Sequence, residues 1–201
     1  MRFARFTTLA GLVGLLALGV TAVATAGGAP GGPGSTCGAA APVFAPWGDS
    51  SFYYFASNGG FESGASGWSL SGGATVVSGN EPWQVHGASD ASSLLIPDGG
   101  SATATVCIGL FDPQLRFFAE GQGAQVSVTL ANPGAKAAKA LKVDGGSFAT
   151  GASWAPSPAI STKVASATSP LGGNSVQVTI SANGAAAQID DLYVDPFVLK
   201  R

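Results

Sequence analysis

One stretch decides the fold of this chain, and it reads Asn58-Gly59-Gly60-Phe61-Glu62-Ser63-Gly64-Ala65-Ser66-Gly67-Trp68-Ser69-Leu70. It sets a glycine pair, a large apolar residue and a carboxylate side by side, and a Gly/Ser loop then leads to a tryptophan. The last segment with a strand-like pattern reads Gln188-Ile189-Asp190-Asp191-Leu192-Tyr193-Val194-Asp195 and holds the only adjacent pair of acids in the sequence. We predict that these two segments lie against each other in the folded protein.

Short segments of alternating character indicate that the rest of the domain is built from β-strands. Glycine, proline and asparagine separate the segments, and none of them has a convincing helical pattern, so we predict an all-β antiparallel sandwich or barrel. The predicted strands are Ser51 to Ala56, Trp68 to Leu70, Ala74 to Val77, Ser92 to Ile96, Ala102 to Ile108, Gln114 to Ala119, Gln125 to Leu130, Lys139 to Val143, Ser175 to Ser181 and Ala187 to Val194.

Four connections between these strands carry specific predictions. Ser71-Gly72-Gly73 has the spacing of a hairpin turn, and Asp144-Gly145-Gly146 is predicted to turn the chain. The segment Trp154 to Ile160 contains two prolines, so it is predicted to be an edge strand or a connection. The polar segment Asn80 to Asp90 is predicted to be a long loop.

The N-terminus has the pattern of a secretory signal peptide. Arg2 and Arg5 precede an apolar run from Leu9 to Val20, and Ala24-Thr25-Ala26 fits the small-x-small rule for cleavage. A membrane anchor is the alternative, but the apolar run gives way to glycine and proline before it reaches the roughly 20 residues that a spanning helix needs. We therefore expect a secreted, extracellular protein.

The domain organisation follows from that N-terminus. We predict a signal peptide over 1–26, a flexible Gly/Pro linker over 27–36 and a single β-sandwich domain over 37–201. Removing the signal takes away two arginines and no acids, so the net charge changes from −2 to −4. A weakly acidic chain with scattered lysines indicates no nucleic-acid partner, and no other segment could span a membrane.

The sequence contains two cysteines, Cys37 and Cys107. In an exported chain the simplest prediction is one disulfide between them, which ties an N-terminal arm to the sandwich. Two separate buried thiols are the alternative.

The opening Gly-Gly-Phe-Glu…Gly-Trp-Ser-Leu and closing Ile-Asp-Asp-Leu-Tyr-Val segments resemble those of galactose-binding-like jelly rolls, the fold of many carbohydrate-binding modules. A further run resembles a group of uncharacterised secreted actinobacterial proteins that have no assigned activity. It reads Cys37…Ala45-Pro46-Trp47-Gly48-Asp49…Gly79-Asn80-Glu81-Pro82…Val85-His86-Gly87. The resemblance implies a jelly-roll sandwich and makes an extracellular or cell-wall glycan the expected partner.

The same resemblance implies one structural calcium ion between the two end segments. By position its ligands would be Glu62 and Asp190, with Asp191 as the alternative where a strand bulge swaps the two faces. Carboxylate and carbonyl oxygens are the ligands that calcium prefers. The alternative is that Glu62 caps a turn and the two aspartates are solvated.

The chemistry of the sequence does not indicate an enzyme. Its only histidine is His86, it has no G-x-S-x-G motif, and nothing pairs its three glutamates across a cleft. Sugar rings stack on aromatic side chains while polar groups bind their hydroxyls, so we predict a glycan site on the Asn80 to Asp90 loop. Its candidate residues are Glu81, Trp83, His86 and Asp90, whereas Trp68 is assigned to the core. The alternative function is a structural or interaction protein of the cell envelope without a glycan ligand.

Overall fold

A computed structural model describes residues 37–108, 114–131, 142–162 and 175–195. The predicted signal peptide and linker lie outside these residues. Within them, no helix is long and apolar enough to cross a membrane. The strands are β1 (Ala40–Ala41), β2 (Tyr53–Phe55), β3 (Trp68–Ser71), β4 (Thr75–Ser78), β5 (Ser92–Ile96), β6 (Ser101–Cys107), β7 (Gln114–Glu120), β8 (Gln125–Ala131), β9 (Lys142–Ala149), β10 (Ala155–Pro156), β11 (Ile160–Ser161), β12 (Ser175–Asn183) and β13 (Ala187–Asp195). A single 3-10 turn spans Ala45–Trp47 in the described part of the chain.

The strands form two antiparallel sheets. The five-stranded sheet has the order β3-β6-β12-β8-β9. In the eight-stranded sheet β13 is central, because β5 and then β2 pair along one of its edges and β7 pairs along the other. β4 extends the sheet beyond β5, β1 extends it beyond β2, and β10 and β11 pair with β7. The predicted antiparallel jelly-roll sandwich is confirmed.

Alternating residues of the two sheets meet in the main core. Val176, Val178 and Ile180 of β12 are fully buried there, as their alternation predicts. Trp68 is also buried, and its ring packs 5.0 Å from that of Phe61, centroid to centroid. The assignment of Trp68 to the core is confirmed.

A second apolar cluster covers the outer face of the eight-stranded sheet. Its buried members are Phe44, Tyr53, Phe118 and Tyr193. Neighbouring residues Phe117 and Phe118 of β7 point to opposite faces, so one joins the main core and the other joins this outer aromatic cluster. The middle strands of this sheet are therefore apolar on both faces.

The N-terminal arm, residues 37–49, is held at two points. The predicted disulfide between Cys37 and Cys107 is confirmed. At the other end of the arm, the Asp49 carboxylate accepts hydrogen bonds from Arg116 Nη1 at 2.9 Å and from the Tyr53 hydroxyl at 2.7 Å. Arg116 also lies over the ring of Phe44, 4.5 Å from its centroid.

The predicted hairpin around Ser71-Gly72-Gly73 is wrong, because its two strands belong to different sheets. β3 pairs with β6 in the five-stranded sheet, whereas β4 pairs with β5 in the eight-stranded one. The turn carries the chain from the five-stranded to the eight-stranded sheet and packs against Gly100, where the chain returns from β5 to β6. A Cβ on Gly72 would lie 2.7 Å from Gly100 Cα, so only glycine fits at this close approach.

The predicted turn at Asp144-Gly145-Gly146 is also wrong. β9 runs through these residues, and its pairing with β8 shifts register between Val128 and Thr129. The glycines therefore make a bulge within a strand. The prediction that Trp154 to Ile160 is an edge strand or a connection is confirmed, because within the described residues β10 and β11 pair with β7 alone.

Candidate functional site

The opening and closing segments meet, as predicted. The Ala56 N–H donates to the Leu192 carbonyl at 2.9 Å, and the Leu192 N–H donates to the Gly59 carbonyl at 3.1 Å. A Cβ on Gly59 would lie 2.7 Å from the Leu192 oxygen, and one on Gly60 would lie 2.9 Å from Asp191 Oδ1. Both glycines are therefore required for the contact with β13.

Asn58 fixes the loop that follows. Its side-chain amide donates to the carbonyls of Gly64 and Ser66 at 2.8 and 2.9 Å, and its Oδ1 accepts the Ser63 N–H at 3.0 Å. Its own carbonyl accepts the indole N–H of Trp68 at 3.0 Å. Asn58 is thus the centre of a local hydrogen-bond network that holds the opening segment in place and positions Trp68 in the core.

A β-bulge in β13 turns both adjacent aspartates toward the long loop. The pairing of β13 with β7 shifts register between Asp190 and Tyr193, and Asp191 has a φ of 51°. Asp190 Oδ2 accepts the Glu81 N–H, and Asp191 Oδ2 accepts the His86 N–H, each at 3.0 Å. Both carboxylates are fully buried. The acid pair therefore docks residues 79–91, which we call the acidic loop, onto the sheet.

The side chain of Glu81 folds back under the acidic loop, of which Glu81 is a part. Its side chain is fully buried, and its two carboxylate oxygens accept the backbone N–H groups of Trp83 and Val85. Glu81 is one of the predicted glycan ligands, but these contacts make it a residue that shapes the loop. Its role in binding is indirect if the loop binds a ligand.

His86 and Asp90 form a pair at the surface of the acidic loop. His86 Nδ1 lies 2.6 Å from Asp90 Oδ2, and the imidazole stacks on Phe55 with ring centroids 3.6 Å apart. The His86 side chain is 40% exposed, whereas that of Asp90 is 8% exposed. The structure brings both predicted residues together and joins them to Asp191 through the loop backbone.

The pKa values of the two buried aspartates, Asp190 and Asp191, are well above the ordinary value for an aspartate. Burial raises the pKa of Asp190 to about 8, and the negative charges of Asp191 and Glu81 add to the rise. Burial likewise raises the pKa of Asp191 to about 7, with the charge of Glu81 as the next cause. In the described part of the chain, the ion pairs are His86 with Asp90 and Arg116 with Asp49, so no lysine or arginine pairs with these buried acids.

The residues predicted to bind calcium make different contacts: Glu62 lies at the start of β5, whereas Asp190 and Asp191 lie against the acidic loop. Glu62 Oε1 accepts the N–H groups of Ala91 and Ser92 at 2.8 and 2.7 Å, so this exposed side chain caps the start of β5. Among the described residues, the group of side chains that could hold a metal is His86, Asp90 and Asp191. Calcium binding by Glu62, Asp190 and Asp191 stays a prediction.

Trp83 is the tryptophan that the acidic loop presents to solvent. It is 44% exposed, and its ring rests on those of Trp47 and Phe118 at centroid distances of 5.0 and 5.4 Å. A cavity of about 340 Å³ lies beside His86 and is lined by residues that include Phe55 and Glu62, but Trp83 does not line it. The predicted loop thus holds an exposed ring on an aromatic base.

No protein-family model and no curated protein matches this chain. Solved structures do share its fold. The CBM22-2 xylan-binding domain of Paenibacillus barcinonensis Xyn10C is 14% identical with a TM-score of 0.50, and the match covers 69% of this chain and 97% of that domain. The tandem CBM22-1–CBM22-2 domain of the same protein is 12% identical with a TM-score of 0.50, over 73% of this chain and 46% of that one.

A third similar structure is TmCBM61 in complex with β-1,4-galactotriose. It is 18% identical with a TM-score of 0.45, over 68% of this chain and 94% of that module. At these identities the likeness concerns the fold and says nothing of the ligand. The chain has the β-sandwich fold that carbohydrate-binding modules of the CBM22 type also have.

Proposed function

We propose that this chain is a secreted, non-catalytic protein that binds an extracellular or cell-wall glycan at the acidic loop. The observation that carries the proposal is Trp83, a large ring that is 44% exposed on a well-packed aromatic base. The sandwich fold that it shares with carbohydrate-binding modules supports the proposal. The disulfide and the N-terminal signal pattern support secretion.

The acidic loop suits a binding role because it is held in place before any ligand arrives. Glu81 binds the backbone on either side of Gln84, and the two aspartates of β13 bind the loop at Glu81 and His86. A pre-organised ring loses little freedom when a sugar stacks on it, so more of the contact energy appears as affinity. His86 and Asp90 are the polar side chains of this loop that we assign to hydrogen bonds with such a sugar.

The same contacts favour binding over catalysis. The buried carboxylates of Glu81, Asp190 and Asp191 each accept backbone N–H groups, which suits the positioning of a loop. A hydrolase needs an acid or base within reach of the substrate. The one histidine in the sequence is paired with Asp90 and stacked on Phe55.

We also propose that Glu62, Asp190 and Asp191 bind a structural calcium ion. Asp190 Oδ1 and Oδ2 accept the N–H groups of Asp191 and Glu81, and Glu62 Oε1 accepts two others. Within this predicted set, Asp191 Oδ1 is a buried oxygen that has no hydrogen-bond partner. Asp191 is therefore the member of the predicted set that best fits a cation.

The second candidate is a structural or interaction protein of the cell envelope. Trp47 and Trp154 are only partly exposed and pack against the outer aromatic cluster. Most aromatic side chains on this face thus stabilise the domain, which favours a scaffold if Trp83 binds nothing.

The test compares Trp83→Ala with the parent protein on a panel of polysaccharides that includes xylan and β-1,4-galactan. We expect the substitution to weaken glycan binding at least about tenfold, since a buried tryptophan contact is worth more than 1.4 kcal/mol. The free energy of unfolding should fall by about 1–2 kcal/mol, less than the about 3–5 kcal/mol of a fully buried aromatic side chain, because Trp83 is 44% exposed.

Phe52→Ala is the matched control, since Phe52 is the other exposed large apolar side chain among the described residues, at 51% exposure. It should leave glycan affinity unchanged. A large loss of stability in Trp83→Ala, with no glycan bound by the parent protein, would make Trp83 a packing residue and favour the scaffold.

A further inference from the structure

We propose that His86, Asp90 and Asp191 form a binding site for a divalent transition-metal ion of the zinc type. The ion would join the acidic loop to the closing strand β13. This site shares Asp191 with the predicted calcium site but takes His86 and Asp90 in place of Glu62 and Asp190, it holds a different class of metal, and its metal binding does not depend on a glycan.

The three side chains already lie close enough for a shared ion. Each offers one ligand atom, and these atoms lie within 4.8 Å of one another. In a tetrahedral zinc site two ligands about 2.0–2.1 Å from the ion lie about 3.4 Å apart, so the widest of these separations must close by about 1.5 Å when the ion binds. The stacking of His86 on Phe55 restricts the orientations of the imidazole, so less conformational entropy is lost when it binds an ion.

An unsatisfied oxygen points to a ligand. Asp191 is fully buried, and its Oδ1 has no hydrogen-bond partner, although buried carboxylate oxygens are almost always bonded. Its Oδ2 is already used by the His86 N–H, so the free oxygen remains available to a cation.

The charge around the site also favours a cation. Glu81, Asp190 and Asp191 are fully buried carboxylates, and Asp90 is nearly so. Within the described residues no lysine or arginine pairs with any of them. A divalent ion would supply the missing positive charge where the dielectric constant is low and charge interactions are strong.

The histidine selects the class of metal. Calcium and magnesium take oxygen ligands, whereas imidazole nitrogen suits zinc, copper, nickel and iron. One nitrogen and two carboxylates leave a coordination position for water, as in many zinc sites with three protein ligands. The exposed edge of His86 gives the ion a path from solvent.

The experiment titrates the chelator-treated, tag-free protein with Zn²⁺ and, separately, with Ca²⁺ by calorimetry, and follows unfolding at each metal concentration. We expect one Zn²⁺ per chain and a Tm that rises with zinc concentration. Co²⁺ in place of zinc should show absorption bands of a site with nitrogen and oxygen ligands.

Two variants test the ligands separately. His86→Gln changes a partly exposed side chain and should fold normally, yet it should weaken zinc binding at least about tenfold, as should Asp191→Asn. Asp144→Asn, an exposed aspartate on the other sheet, is the control and should bind zinc like the parent. The proposal is overturned if zinc shows no saturable binding, if His86→Gln binds it unchanged, or if only Ca²⁺ binds.

Discussion

Replacing Phe44 with alanine is expected to lower the free energy of unfolding by about 3–5 kcal/mol, the usual cost of removing a buried phenylalanine ring. Phe44 is fully buried although it belongs to the N-terminal arm. Its ring lies 5.0 Å from that of Tyr53, 5.3 Å from that of Phe118 and 5.7 Å from that of Tyr193, centroid to centroid. The arm is therefore part of the folded core of the outer face.

Chemical denaturation of the parent and Phe44→Ala measures this loss. Phe44→Leu is the matched control, since it keeps most of the apolar volume and should cost clearly less. The substitution should also weaken the base on which Trp83 rests, because Phe44 packs against Trp47 and Phe118. A loss of under about 1 kcal/mol would mean that the arm does not contribute to the outer aromatic cluster.

The metal-free protein is expected to become more stable as the pH falls from about 8.5 to about 6, by roughly 2–4 kcal/mol. The pKa values of Asp190 and Asp191 rise from 3.8 to about 8 and about 7 in the folded protein. The folded chain thus holds protons that the unfolded chain has released. This stability is fully present below the ordinary pKa of an aspartate and is lost as the pH rises through 7 to 8.

Denaturant titrations at several pH values, with chelator present, measure this slope. Asp191→Asn removes one of the two titrating groups, so its stability should depend less on pH. Zinc should flatten the slope further, because a bound ion favours the ionised carboxylates. A stability that stays flat or rises between pH 6 and pH 8 in the chelated protein would contradict this prediction, and a flat profile would mean that both aspartates are ionised in the native state.

The sequence predicts most strands but not which sheet each strand joins. Alternation places Val176, Val178 and Ile180 in the core, because side chains on one face of a strand recur every second residue. The connection at Gly72-Gly73 has hairpin spacing, and spacing alone does not distinguish a hairpin from a crossing between sheets. The glycine at position 72 is needed where the chain passes close to Gly100 as it crosses between the sheets. This contact joins residues that are distant in the sequence, so the local pattern does not reveal it.

The sequence predicts which segments meet at the candidate site, but it does not predict which of their side chains are buried. The two end motifs indicated that Asp190 and Asp191 lie near the opening segment, and the structure has Gly59 and Gly60 against β13. Glu81 reads as a surface residue because it lies in a polar loop. Its burial depends on Asp190, 109 residues away, and no local pattern reports such a contact.

The central position of β13 has a consequence for how the domain folds. β13 is the last strand of the described chain, and three strands from the first half or middle of the sequence, β2, β5 and β7, all pair with it. Contacts between such distant segments slow folding, because long loops must close before any pairing is gained. Until residues 187–195 leave the ribosome, the edges of β5 and β7 that pair with β13 stay open to other chains, so a nascent chain cannot complete this sheet.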